Sequence, residues 1–443
     1  MKHKYTDVRV PIEKDNVSIC REESLCVKCG ACKNICKFNV GVYDNYDLEK
    51  TDGKAICINC GACSLVCPVN SITERKDYLK LKEVMKGDKI KIFQIAPAVR
   101  AALGEEFDLE LGTNVEGRIV TALKELGANY VFDTTFGADL TVMEEASELI
   151  DRIKNCKTMP MFTSCCPSWV KFVETFYPEF IPNLSSCKSP ILMEGNIIKS
   201  YFANLNNIDK DNIVSIAVTP CTSKKYEIKR EEFNNDVDFV ITTRELAQFI
   251  KEEKIDFKNL KDSKFDNLMG RGTGAGLIFG NSGGVTEATL RTVNHMLGGN
   301  KDDILKFEST RGLGNVKETT VNIGGYKLKI AVVNGTGDAR KVLEKIKTGD
   351  VNYDFVEVMA CEGGCIAGGG QPKVHFPVTG EVKIKRKDCL FNLDDKSKIR
   401  YSYENPDIIS IYQDYLEEPL SKKAKEILHT SFIDRSGDLN VKK

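Results

Sequence analysis

Histidine and tryptophan are scarce here, four and one among 443 residues. The histidines stand at positions 3, 295, 375 and 429, too scattered to suggest an imidazole pair for a metal or an accessory cluster. Net charge is nearly absent as well, at −1. That removes nucleic acid and anionic membrane as default partners. No apolar run approaches the ~20 residues of a membrane span. The opening MKHKYTDVRVPIEKD has neither an apolar leader core nor a twin-arginine signal, so a cytoplasmic location is expected. GNSGG (280–284) lacks the Lys-Ser/Thr of a phosphate loop and reads as close packing. With 42% apolar and 29% charged residues the chain is expected to fold, into roughly three domains at about 150 residues each.

Cysteine is what the chain has in excess: 17 residues. In a reducing compartment clustered cysteine means metal or redox chemistry. Nine lie before residue 70, and eight of these form two copies of one pattern: CVKCGACKNIC from Cys26 and CINCGACSLVC from Cys57. Both have the spacing C-x2-C-x2-C-x3-C. Three close thiolates suit three corners of a 4Fe–4S cube, and the fourth cysteine of each run ligates the other cluster. Cys26, Cys29, Cys32 and Cys67 are therefore assigned to one cluster, and Cys57, Cys60, Cys63 and Cys36 to the second. Pro68 follows Cys67 as in the usual signature, whereas Lys37 replaces the proline after Cys36. Zinc is disfavoured, because zinc sites pair their ligands as two CxxC units rather than two runs of four. Residues 16–78 resemble the two-cluster bacterial ferredoxins.

Beyond a charged, helical stretch read as a linker (79–88), the pattern is α/β. Strand candidates are 89–97, 130–133, 159–163, 213–220, 237–243, 327–335 and 354–361, mostly separated by helix-sized intervals as parallel crossovers require. ADLTVMEEASELIDRIKN reads as a helix with Met143, Leu149, Ile150 and Ile153 as its apolar positions. Ligand sites in open α/β sheets form at the carboxyl ends of strands. Here those ends carry Pro97, Cys165 and Cys166, Cys221, and Cys361 and Cys365, converging on one expected crevice.

The loops TSCCPSW (163–169), TPCTSKKYE (219–227) and EVMACEGGCIAGGGQP (357–372) closely resemble the signature loops of FeFe hydrogenases. So do DTTFGADLTVMEEASEL, NLSSCKSP, GAGLIFGNSGGVTEA and the tail near 415–430. The resemblance covers nearly everything from residue 88 onward. It implies an α/β catalytic domain of two lobes, mainly parallel sheet flanked by helices, with the cofactor in the crevice between them. A small α+β ferredoxin-like domain with two 4Fe–4S clusters precedes it. The implied organisation is an extension (1–15), the ferredoxin-like domain (16–78), the linker (79–88) and the hydrogenase domain (89–443), with a small-subunit-like helical tail at about 395–432. The implied cofactor is the H-cluster, a 4Fe–4S cube joined to a diiron unit carrying CO, cyanide and an azadithiolate.

Carried over by residue, Cys166, Cys221, Cys361 and Cys365 hold the cube, with Cys365 bridging to the diiron unit. Lys224 faces one cyanide; Glu227 resembles a supporting partner of the site, or simply pairs with a neighbouring lysine. Pro97 and Ala98 line the other, Met359 and Thr219 flank the cofactor, and Gln371 stands behind it as a donor. A proton relay is implied from Cys165 through Glu145, Ser185 and Glu148 to Arg152. On spacing alone Glu148 and Arg152 are an ordinary i,i+4 ion pair; the motif around them favours the relay. Cys20, Cys156, Cys187 and Cys389 match no ligand spacing and read as structural or free thiols.

Ser168, Thr219 and Glu362 depart from the commonest family pattern. They predict more polar cofactor surroundings and a shifted potential. The implied activity is reversible exchange of H2 with two protons and two electrons. Ferredoxin or a similar carrier and the H-cluster maturases are the implied partners. A non-catalytic iron–sulfur assembly relative would not need the relay, and an H2 sensor often carries a signalling domain. A subunit of a bifurcating complex would need partners for flavin or nicotinamide chemistry.

Overall fold

Two short strands close the cysteine-rich segment on itself in the computed structural model, which describes residues 7–233, 235–300 and 309–441. The first six residues of the expected extension lie outside these. β1 (Ile19–Arg21) pairs antiparallel with β2 (Ile72–Glu74), Ile19 opposite Glu74. Each cysteine run bends into a short helix, Ala31–Phe38 and Ala62–Leu65. The residues capping those helices, Gly30 and Gly61, have φ of 80° and 73°. A Cβ disfavours that left-handed backbone, which accounts for the glycine repeated within both runs. Val10, Ile19, Tyr43 and Ile72 pack with Cys32, Cys63 and Cys67 in a small core.

Eight strands follow: β3 (Ile90–Ile95), β4 (Tyr130–Asp133), β5 (Met161–Phe162), β6 (Ile213–Thr219), β7 (Phe239–Thr242), β8 (Val316–Ile323), β9 (Tyr326–Asn334) and β10 (Phe355–Met359). They form two four-stranded sheets, ordered β4-β3-β6-β7 and β5-β10-β9-β8. The first is wholly parallel. The second is parallel except for the antiparallel β8–β9 hairpin. Strands β6 and β10 are buried along their whole length, as strands covered on both faces must be. Two lobes of mainly parallel sheet are thus present, as expected. β8 has no counterpart among the expected strands. Its alternating exposed and half-buried residues and the Gly324–Gly325 turn, both at positive φ, are an ordinary hairpin signal.

The span expected as a linker is not a free spacer. It lies largely in the helix Asp77–Met85, whose Tyr78 and Leu81 are buried in the core of the first sheet with Phe93 and Val99. Lys225 fixes its start through Asp77, 2.7 Å away. The central helix, Thr135–Lys154, begins before the expected span and runs through three apolar clusters. Of its expected apolar positions only Leu149 is fully buried; Met143, Ile150 and Ile153 are half-buried. Glu144, Glu145, Glu148 and Arg152 are buried in their place. The tail packs Ile408, Ile411, Leu416, Ala424 and Leu428 against the same core as Phe132 and Leu140.

Candidate active site

Strand ends from both sheets open onto one cavity between the lobes. Pro97 and Ala98 follow β3. Cys165 and Cys166 come after β5, with Cys166 capping the helix Pro167–Phe176. Thr219 ends β6 and Cys221 follows it, Met359 ends β10, and Cys361 and Cys365 follow. All of these line the cavity, together with Lys224 and Ser168.

Glycine makes the last loop possible. Gly363 and Gly364 have φ of 99° and 93°, and a Cβ on Gly364 would run into the backbone of Asn281 and Ser282. Ile366 N donates to Gly280 O at 3.0 Å and seats the loop. Arg386 secures it from behind: its guanidinium donates to Ile366 O and Pro372 O at 2.9 Å and to both oxygens of buried Glu105.

The four expected cube ligands are neighbours. Burial pushes Cys361 well up, and the charges of Cys221, Cys166, Cys60 and Cys365 add to it. Burial pushes Cys221 to about 11, helped by Cys166. Such thiols ionise only when a cation offsets the cost, which is what a bound cluster does. Soft, mutually close thiols among closely packed glycines fit an iron–sulfur cube.

The N-terminal cysteines expected to act as ligands also lie in two groups. Cys26, Cys29, Cys32 and Cys67 line one small cavity. Cys36, Cys57, Cys60 and Cys63 are mutual electrostatic neighbours. Cys60 additionally neighbours Cys221. The set around Cys60 is therefore the inner one, and exposed Cys29 belongs to the outer. Thr222 Oγ1 donates to Asn59 O at 2.8 Å, and Ser64 Oγ donates to Gly369 O at 3.2 Å, holding the inner run against the cavity loops.

Lys224 Nζ donates to Cys165 O at 3.1 Å and to Glu227 Oε2 at 2.8 Å. Burial opposes its charge, yet Glu227 outweighs burial and raises its pKa. Ser189 Oγ also donates to Glu227 Oε2, at 3.0 Å, so Glu227 fixes the ammonium in the cavity wall. Gln371 does not reach this cavity. Its Nε2 donates to Ala98 O at 3.0 Å and its Oε1 accepts from Thr243, so it positions the Pro97–Ala98 turn.

Of the three departures, Ser168 and Thr219 line the cavity and Glu362 does not. Glu362 turns away to the groove between the domains, where it accepts from Asn39 Nδ2 at 2.6 Å. The expectation of a carboxylate beside the cofactor is corrected for this position. Thr219 Oγ1 is engaged locally, donating to Cys221 O at 3.2 Å.

A line of buried polar groups leaves the cavity at Cys165. Burial pushes that thiol well up and nearby Glu145 adds to it, while Lys224 opposes. Burial pushes Glu145 to about 8, with Glu148 and Glu357 adding. Among the described residues neither of its oxygens has a hydrogen-bond partner. Such a shift disfavours ionisation by on the order of 5 kcal/mol. Ser185 Oγ donates to Glu148 Oε2 at 2.9 Å, and Arg152 Nη2 donates to Glu148 Oε1 at 2.7 Å. Arg152 also caps Leu184 O at 2.7 Å, so the pair is built into the wall rather than lying loose on the surface.

Sequence reasoning missed the groups behind Glu148. Ser186 N and Oγ both donate to Glu148 Oε2, and Ser186 Oγ lies 2.8 Å from His429 Nδ1. His429 Nε2 lies 2.9 Å from Glu144 Oε2, and Tyr412 donates to the other Glu144 oxygen. The Glu144–Glu145 doublet in an apolar helix was a usable sign; nothing in the spacing ties it to residue 429. Glu194, buried with both oxygens unpartnered among the described residues, was also missed.

Among the described residues no helix is long and apolar enough to cross a membrane. The chain matches the family description "Iron only hydrogenase large subunit, C-terminal domain" over residues 89–369. It also matches "Iron hydrogenase small subunit" over 380–435 and "4Fe-4S binding domain" over 54–73. It is 40% identical over 441 residues to iron hydrogenase 1 of Clostridium pasteurianum, covering 95% of this chain and 77% of that one. It is 30% identical over 358 residues to a cytosolic Fe–S cluster assembly factor of Xenopus tropicalis, covering 78% of this chain and 74% of that one. An apo FeFe hydrogenase from Chlamydomonas reinhardtii superposes with a TM-score of 0.72 at 38% identity, covering 81% of this chain and 99% of that one.

Proposed function

We propose, from the premise that this chain belongs to the FeFe hydrogenase family, that it exchanges H2 reversibly with two protons and two electrons. Electrons pass through two 4Fe–4S clusters to an external carrier such as ferredoxin. In this reading Cys166, Cys221, Cys361 and Cys365 hold the H-cluster cube. Cys57, Cys60, Cys63 and Cys36 hold the inner cluster, and Cys26, Cys29, Cys32 and Cys67 the outer. The bound H-cluster supplies the iron site and bridging base at which H2 is split.

The chain's own residues do the rest. Lys224, steadied by Glu227, presents a fixed ammonium to the cofactor's negative ligands. Pro97, Ala98, Thr219 and Met359 shape the apolar wall, with Gln371 holding Ala98 in place. Cys165 keeps its proton at neutral pH and can exchange it with Glu145, whose value near 8 lets it both take and release one. Ser185, Glu148 and Arg152 continue toward solvent. Exposed Cys29 makes the outer cluster the one a carrier can reach.

The observation that carries this reading is the convergence of Cys165, Lys224 and four further cysteines on one cavity, with the Glu145–Glu148 line leading out of it. The test is infrared spectroscopy and a methyl viologen H2 assay on protein loaded by the H-cluster maturases. CO and cyanide bands and H2 turnover are expected. Cys165→Ala should keep the bands and lose about 10²–10⁴-fold in turnover.

The likeness to an assembly factor supports a second reading, in which the chain carries clusters without turning over H2. Bands absent after proper maturation would decide for it. Buried Glu145, Glu148 and Lys224 favour the enzyme.

A further inference from the structure

Cys187 and His429 were both read as bystanders, one a free thiol and the other a lone imidazole. The fold sets them side by side. They face each other across an isolated antiparallel bridge, where Lys188 N donates to Leu428 O and Thr430 N donates to Ser186 O, both at 2.8 Å. Glu148 completes the group: one ligand atom from each of the three lies within 4.8 Å of the others, and all three residues are buried.

We propose that Cys187, His429 and Glu148 form a site for a borderline-soft divalent cation, zinc above all, seated on the outer part of the proton line. Sulfur, imidazole nitrogen and carboxylate oxygen are the three donors zinc prefers, and a water or the Ser186 hydroxyl completes a tetrahedron. The imidazole is prepared for the task. Glu144 Oε2 lies 2.9 Å from Nε2, and Tyr412 and Leu420 N anchor that carboxylate at 2.5 and 2.9 Å. A carboxylate on the far nitrogen is the arrangement that fixes the tautomer of metal-binding histidines. It leaves Nδ1 as an acceptor facing Ser186 Oγ, whose single hydroxyl proton then serves either Nδ1 at 2.8 Å or Glu148 Oε2 at 3.1 Å. Charge favours a cation as well, since Glu148, Glu145 and Glu144 all act on the Cys187 thiol. Arg152 is the cation already paired with Glu148. A cavity lined by Cys187, Ser189, Thr430 and Phe432 adjoins the thiol. On binding, the Cys187 S–H bond breaks and its proton passes to solvent, the hydrated zinc ion sheds a water, and a Zn–S bond forms with no change of oxidation state.

The site stands apart from the hydrogenase reading; its effect on turnover rests on that reading. Occupied, it ties up Glu148 and stops proton exit. The test is zinc titration of fully matured protein, followed by zinc-edge X-ray absorption. One tightly held equivalent with a single sulfur at about 2.3 Å and nitrogen or oxygen neighbours at about 2.0–2.1 Å is expected. Cys187→Ala should remove the sulfur, and His429→Gln should weaken binding while keeping a hydrogen-bonding side chain. Glu144→Gln should weaken it about 10–100-fold. Unchanged infrared bands show that each variant is folded and loaded. No stoichiometric zinc, or a sulfur signal that survives Cys187→Ala, overturns the site. H2 turnover should fall with zinc occupancy, and Cys187→Ala should resist it. Zinc held as described without inhibition would keep the site and reject Glu148 as a proton carrier.

Discussion

Thr219 and Glu362 both depart from the family pattern, yet they face different spaces. Thr219 stands in the cofactor cavity beside Met359, whereas Glu362 meets Asn39 across the domain groove. Polarity near an iron–sulfur centre tunes its potential. Film electrochemistry should therefore show Thr219→Met shifting the catalytic potential while Glu362→Ala leaves it in place; equal behaviour would remove the distinction. Glu145 carries a second prediction. A carboxyl with a raised folded value stabilises the fold fully below its ordinary 4.5, and that contribution is lost as pH rises through about 8. Glu145→Gln abolishes this term. Between about pH 5 and pH 8 the parent should lose on the order of 3 kcal/mol that the variant keeps. Melting temperatures across that range check it, and parallel curves would contradict it. The gathering of the N-terminal cysteines was legible at this scale from spacing alone, whereas Cys166, Cys221, Cys361 and Cys365 were placed together by the family resemblance. The Cys187–His429 pair was not, because no local spacing joins residues brought together by a tertiary bridge.

The helix Thr135–Lys154 shows why a periodic reading misjudges an element that buries ionisable groups. Amphipathic logic assigns aliphatics inward and charges outward. Here Glu144, Glu145, Glu148 and Arg152 are buried, and Ile150 and Ile153 are partly exposed. Burying charges is costly unless they are paired or neutralised, so only neighbouring elements can justify the placement, through Ser185, Ser186, His429 and Tyr412. Strands β3, β6, β7, β9 and β10 were legible because runs of buried β-branched residues need no partner to be recognised. The helix Gly380–Lys396 invites a direct test, since it sends Arg386 under the last cysteine loop. Breaking a buried ion pair costs about 3–5 kcal/mol. Arg386→Ala should lower stability by that amount in denaturant unfolding and reduce iron bound at the active site. Full iron content would show that the loop seats itself without the guanidinium.

The two domains meet at glycine. A Cβ on Gly369 would strike the backbone of Cys60 and Gly61, and one on Gly61 would strike Thr222 and Gly369. That contact brings the inner cluster ligands beside Cys221 and Cys361. Gly369→Ala should cost about 1–3 kcal/mol through overpacking. Carrier-driven turnover should fall while the infrared bands persist; unchanged turnover would mean that the close approach does not set the electron path. A ferredoxin-like region ahead of an α/β domain was legible from the cysteine runs and the strand pattern. Their docking was not, because it depends on the backbone of Cys60 and Gly61 meeting the backbone of Gly369. The bridge that Leu428 and Thr430 make to Ser186 and Lys188 also has a consequence in time. A ribosome delivers every cluster ligand, Cys365 included, before it delivers His429, and chains fold progressively from the N-terminus as they emerge. A nascent chain can therefore present all the cysteines proposed as cluster ligands while the wall around Glu148 is still unmade.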